Sequence, residues 1–207
     1  MTIKLAVLLS GGGRTLVNLQ EAIDAGRLDA SVVLVISSLR TAKGVLRARE
    51  LGHEALVIRP RDYDSPGAFA AAQTNAIEEA GAELVVMAGY LVHYPVPSGW
   101  EQRILNIHPS LLPDHGGVGL YGSRVHASVL ARGDTVSGCT VHLVDDEYDH
   151  GRVLAQTEVP VLPEDDVDSL ASRVFEAECR TYPRVIAAHA ATLGLGGGAF
   201  DSGEAAG

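Results

Sequence analysis

Cationic side chains are scarce in this sequence. Lys and Arg number 16 against 26 Asp and Glu, a formal net charge of −10 over 207 residues. Nucleic acids and anionic membrane surfaces bind through basic faces, because phosphate neutralisation supplies much of the affinity, so neither partner is expected. A small phosphorylated molecule is still allowed, since a helix N-terminus and one or two cations can hold it locally. Cysteine is nearly absent. Cys139 and Cys179 stand far apart and form no CxxC pair. No zinc site, disulfide framework or other metal centre is therefore expected, and a reducing cytoplasmic setting is the default. Long apolar runs are missing too. The run after Lys4 stops by Gly11, too short for a membrane span, and it lacks a signal-peptide cleavage pattern. Two nucleotide signatures are also absent. Ser10 to Thr15 matches neither GxxxxGK[ST] nor GxGxxG, and Ser37-Ser38-Leu39-Arg40 offers no ribose-binding acid.

What is present suits one folded domain. Hydrophobic residues make up 46% of the chain and charged residues 20%, enough for a sizeable core and too little charge for disorder. No internal repeat or interdomain linker interrupts the pattern. Residues 1–193 are read as the domain and the Gly-rich 194–207 as a flexible tail. Apolar, β-branched runs at Ile3 to Leu9, Ser31 to Ile36, Ala55 to Ile58, Leu84 to Met87 and Ile104 to Ile107 read as buried strands. Helical stretches at Leu16 to Ala25, Gly44 to Leu51 and Phe69 to Ala80 separate them. This alternation predicts an α/β fold, Rossmann-like, with a mostly parallel sheet and helices on both faces. Gly138 to Val144 and Val153 to Pro160 follow with only an acidic turn between them, which predicts an antiparallel C-terminal addition. A helix over Val167 to Thr192 closes the chain, with Pro183 expected to break or kink it.

Three constellations carry chemistry. In Ile104-Leu105-Asn106-Ile107-His108-Pro109, Asn106 and His108 share one face of a strand. The amide can donate to a developing oxyanion, and the imidazole carries a proton near neutral pH. Val144-Asp145-Asp146-Glu147-Tyr148-Asp149-His150-Gly151 supplies carboxylates downstream. Amide, imidazole and carboxylate suffice for acyl transfer without a covalent intermediate. An Asn-x-His pair at a strand end is in itself common, Asp149-x-Gly151 also reads as an ordinary turn, and His142 fits a core or a supporting role. The loop Ser10-Gly11-Gly12-Gly13-Arg14-Thr15 combines close backbone approach with helix N–H groups, a cation and a hydroxyl, which suits an anion or a plain tight turn. Leu170, Val174 and Glu178 recur every fourth residue, so the Glu178 carboxylate points inward and needs a polar partner.

The motif Asn106-Ile107-His108-Pro109-Ser110-Leu111-Leu112-Pro113, joined to the later Asp149-x-Gly151, resembles the folate-dependent formyltransferases. The likeness is greatest to the phosphoribosylglycinamide (GAR) formyltransferases. It runs from Val7-Leu8-Leu9-Ser10-Gly11-Gly12-Gly13 through Met87-Ala88-Gly89-Tyr90 to Glu176-Ala177-Glu178-Cys179-Arg180-Thr181-Tyr182-Pro183, covering residues 3 to about 190. The resemblance implies transfer of a formyl group from 10-formyltetrahydrofolate to the amine of glycinamide ribonucleotide, in purine biosynthesis. Asn106, His108 and Asp149 would be the catalytic set. Gly13, Arg14 and Thr15 would hold the substrate phosphate, and Glu178 the amine or ribose side. Leu91, Val92, His93 and Tyr94 would line the folate pocket, together with Asn106 and with Asp145, Asp146, Glu147, Tyr148 and Asp149.

Departures from the family pattern concern both substrates. Ser or Thr followed by Asn is commoner where Arg14 and Thr15 stand, and Arg occurs in some members in place of Val92 and of Pro66. His93, Arg59 and Arg61 are candidate substitutes for anchoring the folate glutamate tail. Small-molecule partners and a monomer or homodimer are expected. Sugar-nucleotide formyltransferases are the nearest alternative, because tRNA suits the charge poorly and 207 residues leave no room for a further domain. A non-catalytic nucleotide-binding module is the other.

Overall fold

The computed structural model describes residues 2–195. The apolar segment Ile3–Leu9 forms β1, an interior strand of the sheet, and its two-residue period assigns the core to two layers. Leu5, Val7 and Leu9 pack on one side with α1 (Arg14–Asp24), while Ala6 and Leu8 pack on the other with α3 (Pro66–Glu79). Between these helices run β2 (Ala30–Ser37), α2 (Lys43–Glu50) and β3 (Ala55–Val57). After α3 come β4 (Leu84–Met87), β5 (Ile104–His108), α4 (Ser123–Arg132), β6 (Val136–Leu143), β7 (Val153–Pro160) and α5 (Val167–Thr192). The sheet order is β3-β2-β1-β4-β5-β6-β7. The first five strands pair in parallel, and β6 and β7 are added antiparallel. The predicted sheet is therefore observed, with boundaries one to three residues away at several elements.

The start of α3 differs from the sequence reading for an identifiable reason, whereas α5 starts where expected. Helix α3 begins at Pro66 because the Ser65 side chain accepts from the Ala68 N–H at 3.1 Å, and Pro suits the first helical position. At α5, Asp166 and Ser169 form a reciprocal capping box. The expected break at Pro183 does not occur, and α5 runs unbroken through it. Proline leaves the carbonyl four residues earlier without its usual donor. That carbonyl belongs to Cys179, and the Asn18 amide from α1 donates to it at 3.3 Å. Helix α4 was not anticipated. Its helical face buries only Val125, His126 and Val129, and it stops at Gly133 in a left-handed cap. At the end of α5, Gly194 is also left-handed and Leu195 packs on the core; the rest of the expected tail, from 196, lies outside the described residues.

Helix α5 is tied into the sheet by one hydroxyl. Tyr182 is fully buried, and its OH lies 3.0 Å from the backbone oxygens of both Met87 and Leu105. Those carbonyls belong to β4 and β5, the strands that carry the site. Tyr182→Phe removes this donor without changing the packing, and should lower stability by about 1–2 kcal/mol. Urea unfolding measures the loss, and an unchanged midpoint would mean that the carbonyls do not need the hydroxyl.

Candidate active site

Strand order reverses between β1 and β4, and in open α/β sheets the crevice beyond such a switch point receives ligands. The Gly-rich loop follows β1 and Gly89-Tyr90-Leu91 follows β4, so both border that crevice. Ser10 ties them together: its N–H donates to the Gly89 carbonyl at 3.0 Å, and its Oγ accepts from the Leu91 N–H at 2.9 Å. A cavity of about 480 Å³ opens here, lined by Arg14, Thr15, Leu91, Asn106, His108, Asp149 and Glu178 among others. A smaller one of about 60 Å³ adjoins it, lined by Val92, His93, Tyr94, Asn106, His142, Asp145, Glu147, Tyr148 and Asp149. Tyr90, Asn106, Tyr148 and Asp149 belong to both.

At the junction the predicted triad is assembled. The β5–β6 register puts His142 directly opposite Asn106, and cross-strand partners touch. Asn106 Nδ2 lies 3.1 Å from His142 Nε2 and 3.5 Å from Asp149 Oδ1. His142 Nδ1 faces the Leu143 carbonyl at 2.8 Å. Nδ1 therefore donates there, and Nε2 is left to accept from Asn106. His142 thus has the supporting geometry that the sequence left open. The backbone of Asp149 is left-handed, with φ 56°, and folds its carboxylate back onto β5. Asp149 Oδ2 accepts from the Gly117 N–H at 2.9 Å and sits 3.4 Å from His108 Nδ1. His108 Nε2 lies 2.9 Å from the His115 carbonyl. Both ring nitrogens of His108 face oxygen acceptors, and only the doubly protonated ring satisfies both.

Two carboxyl groups have opposed electrostatics. Burial alone would raise the Asp149 pKa, but the hydrogen bond and charge of His108, the adjoining His142 ring and the Gly117 N–H hold it well below the usual carboxylate range. Burial pushes Glu178 up to about 8, against the pull of Arg14. Glu178 is 9% exposed at the cavity wall, so the inward stripe read from the sequence is observed. Arg14 lies across the Phe175 ring, 3.8 Å from its centroid. Gly13 caps α1 with φ 74°, and a Cβ there would stand 2.7 Å from the Gly44 Cα.

The remaining sequence candidates lie around this core. His93 Nε2 meets the Asp146 carbonyl at 3.0 Å and its ring stands edge-on to Tyr148, which links the 91–94 segment to the acidic loop. Asp146 itself lines neither cavity, and Arg59 is committed to Asp62. Sequence reasoning missed His126, Phe175 and the wall formed by 117–122. The signal for the wall was the glycine density of Gly116-Gly117-Val118-Gly119-Leu120-Tyr121-Gly122. No cluster of three or more His, Cys, Asp or Glu side chains able to hold a metal occurs among the described residues. Nor is any described helix long and apolar enough to cross a membrane.

The family model described as "Formyl transferase" matches residues 3–186. The chain belongs to the formyl transferase family. It is 39% identical over 188 residues to the chloroplastic phosphoribosylglycinamide formyltransferase of Arabidopsis thaliana, covering 89% of this chain and 64% of that protein. It is 40% identical over 191 residues to the trifunctional purine biosynthetic protein adenosine-3 of Drosophila melanogaster, covering 89% of this chain and 14% of that one. The chain thus spans less than two thirds of either relative. Glycinamide ribonucleotide transformylase 1 of Symbiobacterium toebii has a similar crystal structure, with a TM-score of 0.86, 38% identity and coverage of 92% and 89% of the two chains. The sheet of this formyl transferase, including its antiparallel end, is that of the relative.

The raised pKa of Glu178 has a testable consequence. An ordinary glutamate carboxyl ionises near 4.5, but this one stays protonated to about 8 in the fold. The stability that its neutral form carries is complete below 4.5 and is lost as pH rises toward 8. Glu178→Gln should therefore stabilise the free protein at pH 7, by up to about 3 kcal/mol, and have little effect below pH 4. Urea unfolding at both pH values gives the answer, and an equal effect at each would contradict the burial cost.

Proposed function

We propose that this formyl transferase moves the formyl group of 10-formyltetrahydrofolate to the amine of glycinamide ribonucleotide, a step of purine biosynthesis. The observation that carries the reading is the junction of two cavities at Asn106 and Asp149, with His108 on one side and His142 on the other. Two substrates brought to that junction meet beside an amide donor and a histidine held by a carboxylate. The wider cavity suits the nucleotide. Its phosphate would lie against the α1 N-terminus, Gly13, Arg14 and Thr15, and buried Glu178 would face its polar groups. The narrow cavity suits the folate ring, with Val92, Tyr94 and Tyr148 as its apolar walls and backbone groups of 91–94 and 145–149 for polar contact.

In the reaction the amine attacks the formyl carbon and a tetrahedral oxyanion forms. Asn106 Nδ2 carries two hydrogens. The one toward His142 orients the amide, and the 3.5 Å contact to Asp149 is long enough to be exchanged for the oxyanion. Such a preorganised donor contributes about 3 kcal/mol. Protonated His108, held by Asp149, adds positive charge beside the oxyanion. As the carbon–nitrogen bond to folate breaks, His108 supplies the proton that the leaving nitrogen takes up and is reprotonated by the one that the attacking amine loses. No covalent enzyme intermediate is needed.

A direct assay with both substrates, following the absorbance of the tetrahydrofolate product, tests the reading. Formylation of a sugar-nucleotide amine instead of glycinamide ribonucleotide would overturn the substrate. His108→Ala and Asn106→Ala should each lower kcat by at least about a hundredfold while the fold persists. Near-wild-type turnover in either correctly folded variant would remove the proposed centre.

Asp149→Asn separates an electrostatic role from a loop-forming one. Loss of the anion removes support for protonated His108, so turnover should drop at neutral pH and partly recover as the pH falls. In the parent protein the low pKa of Asp149 keeps this support intact across that range. A pH–rate profile decides: a uniform loss with a higher folate KM at every pH would make Asp149 a loop residue only.

A further inference from the structure

One histidine of the wider cavity has no task in this scheme. His126 lies in the first turns of α4, lines the cavity and is 5% exposed. Its Nδ1 is fully shielded and has no hydrogen-bond partner. Burial pushes its pKa down, and the neighbouring His108 pushes it further the same way. The ring is therefore neutral at neutral pH and carries a single N–H. A shielded N–H without an acceptor costs more than a shielded lone pair, since orphaned buried donors are the rarer kind. That puts the proton on Nε2. His126 lines the wider cavity only, the side of Arg14 and Glu178, and not the narrow one beyond Asn106.

A neutral donor in that place selects a particular acceptor. A phosphate is better served by Arg14 and the α1 N-terminus. A group near enough to His108 to respond to its charge sits by the reacting end of the nucleotide, not its phosphate end. Glycinamide carries one neutral oxygen there, the carboxamide carbonyl, one carbon away from the attacking amine. We propose that His126 is a further substrate-binding residue, whose Nε2–H donates a hydrogen bond to this carbonyl and so turns the amine toward the junction. The proposal rests on the function stated above and adds how the carboxamide is read.

His126→Phe keeps a ring of similar shape and deletes the donor, whereas His126→Gln returns an amide N–H near the position of Nε2. His126→Phe should raise the KM for glycinamide ribonucleotide about tenfold and leave the KM of the formyl donor and the melting temperature unchanged. His126→Gln should recover most of the loss. Binding of ribose 5-phosphate, which has the phosphate but no carboxamide, should be the same in all three proteins by thermal shift. A nucleotide KM within twofold of the parent in His126→Phe overturns the assignment. So does a parallel rise in both KM values with a lower melting temperature, which would make His126 a packing residue. A parent protein that neither binds nor formylates the nucleotide overturns the proposed function and this inference with it, whereas a competent parent with an indifferent variant overturns this inference alone.

Discussion

A carboxylate that is ionised and shielded from water has to be surrounded by donors, and Asp149 is the one on which this site depends. Its side chain is 12% exposed, yet its pKa lies below the ordinary range. Desolvation favours the neutral acid, so His108, His142 and the Gly117 N–H must together exceed that penalty. Each of these neighbours comes from a different segment. His108 ends β5, His142 lies on β6, and Gly117 belongs to the loop that walls the wider cavity. One ionised group thus pulls together the parallel part of the sheet, its antiparallel addition and a loop with little secondary structure of its own.

The loop is held from its other side as well. His115 has a left-handed backbone, unusual for a side chain of its size. Its ring lies 2.8 Å from Ser128 Oγ through Nδ1 and 2.7 Å from Asp134 through Nε2. Arg132 in turn bonds both Asp134 and Asp114. This network anchors residue 115 to α4, and the His115 carbonyl is then available as the second acceptor of His108. The orientation of the His108 imidazole therefore rests on Asp149 at one nitrogen and on a loop fastened to α4 at the other.

The parallel strands were legible because a strand buried on both faces must be apolar along its length, as Leu84–Met87 is. Asn106 and His108 stood out for the complementary reason, as polar residues ending an apolar strand. Helix α4 was hidden, since ten residues with three buried positions leave no periodic stripe long enough to detect. Asp149 could be linked to His108 only through family resemblance, because no local rule predicts that a loop 41 positions later folds back onto β5 (149 − 108). The tolerance of Pro183 was invisible for the same reason. It depends on Asn18, a donor from the other end of the chain.

The two cavities share a wall, and Ser10 is the joint in it. Its N–H donates to Gly89, its hydroxyl accepts from the Leu91 N–H, and the same oxygen lies 2.6 Å from Ser38 Oγ. Buried polar groups in such a chain are costly to leave unpaired, so the contacts persist or break together. The glycine loop after β1 thus cannot shift without disturbing the segment after β4, from which Tyr90 reaches both cavities. A reaction that needs two bound molecules in register benefits from a rigid common wall, because misplacement of either reactant by about 1 Å costs on the order of a hundredfold in rate. The site accordingly combines glycines for close approach with a serine that fixes where that approach is made.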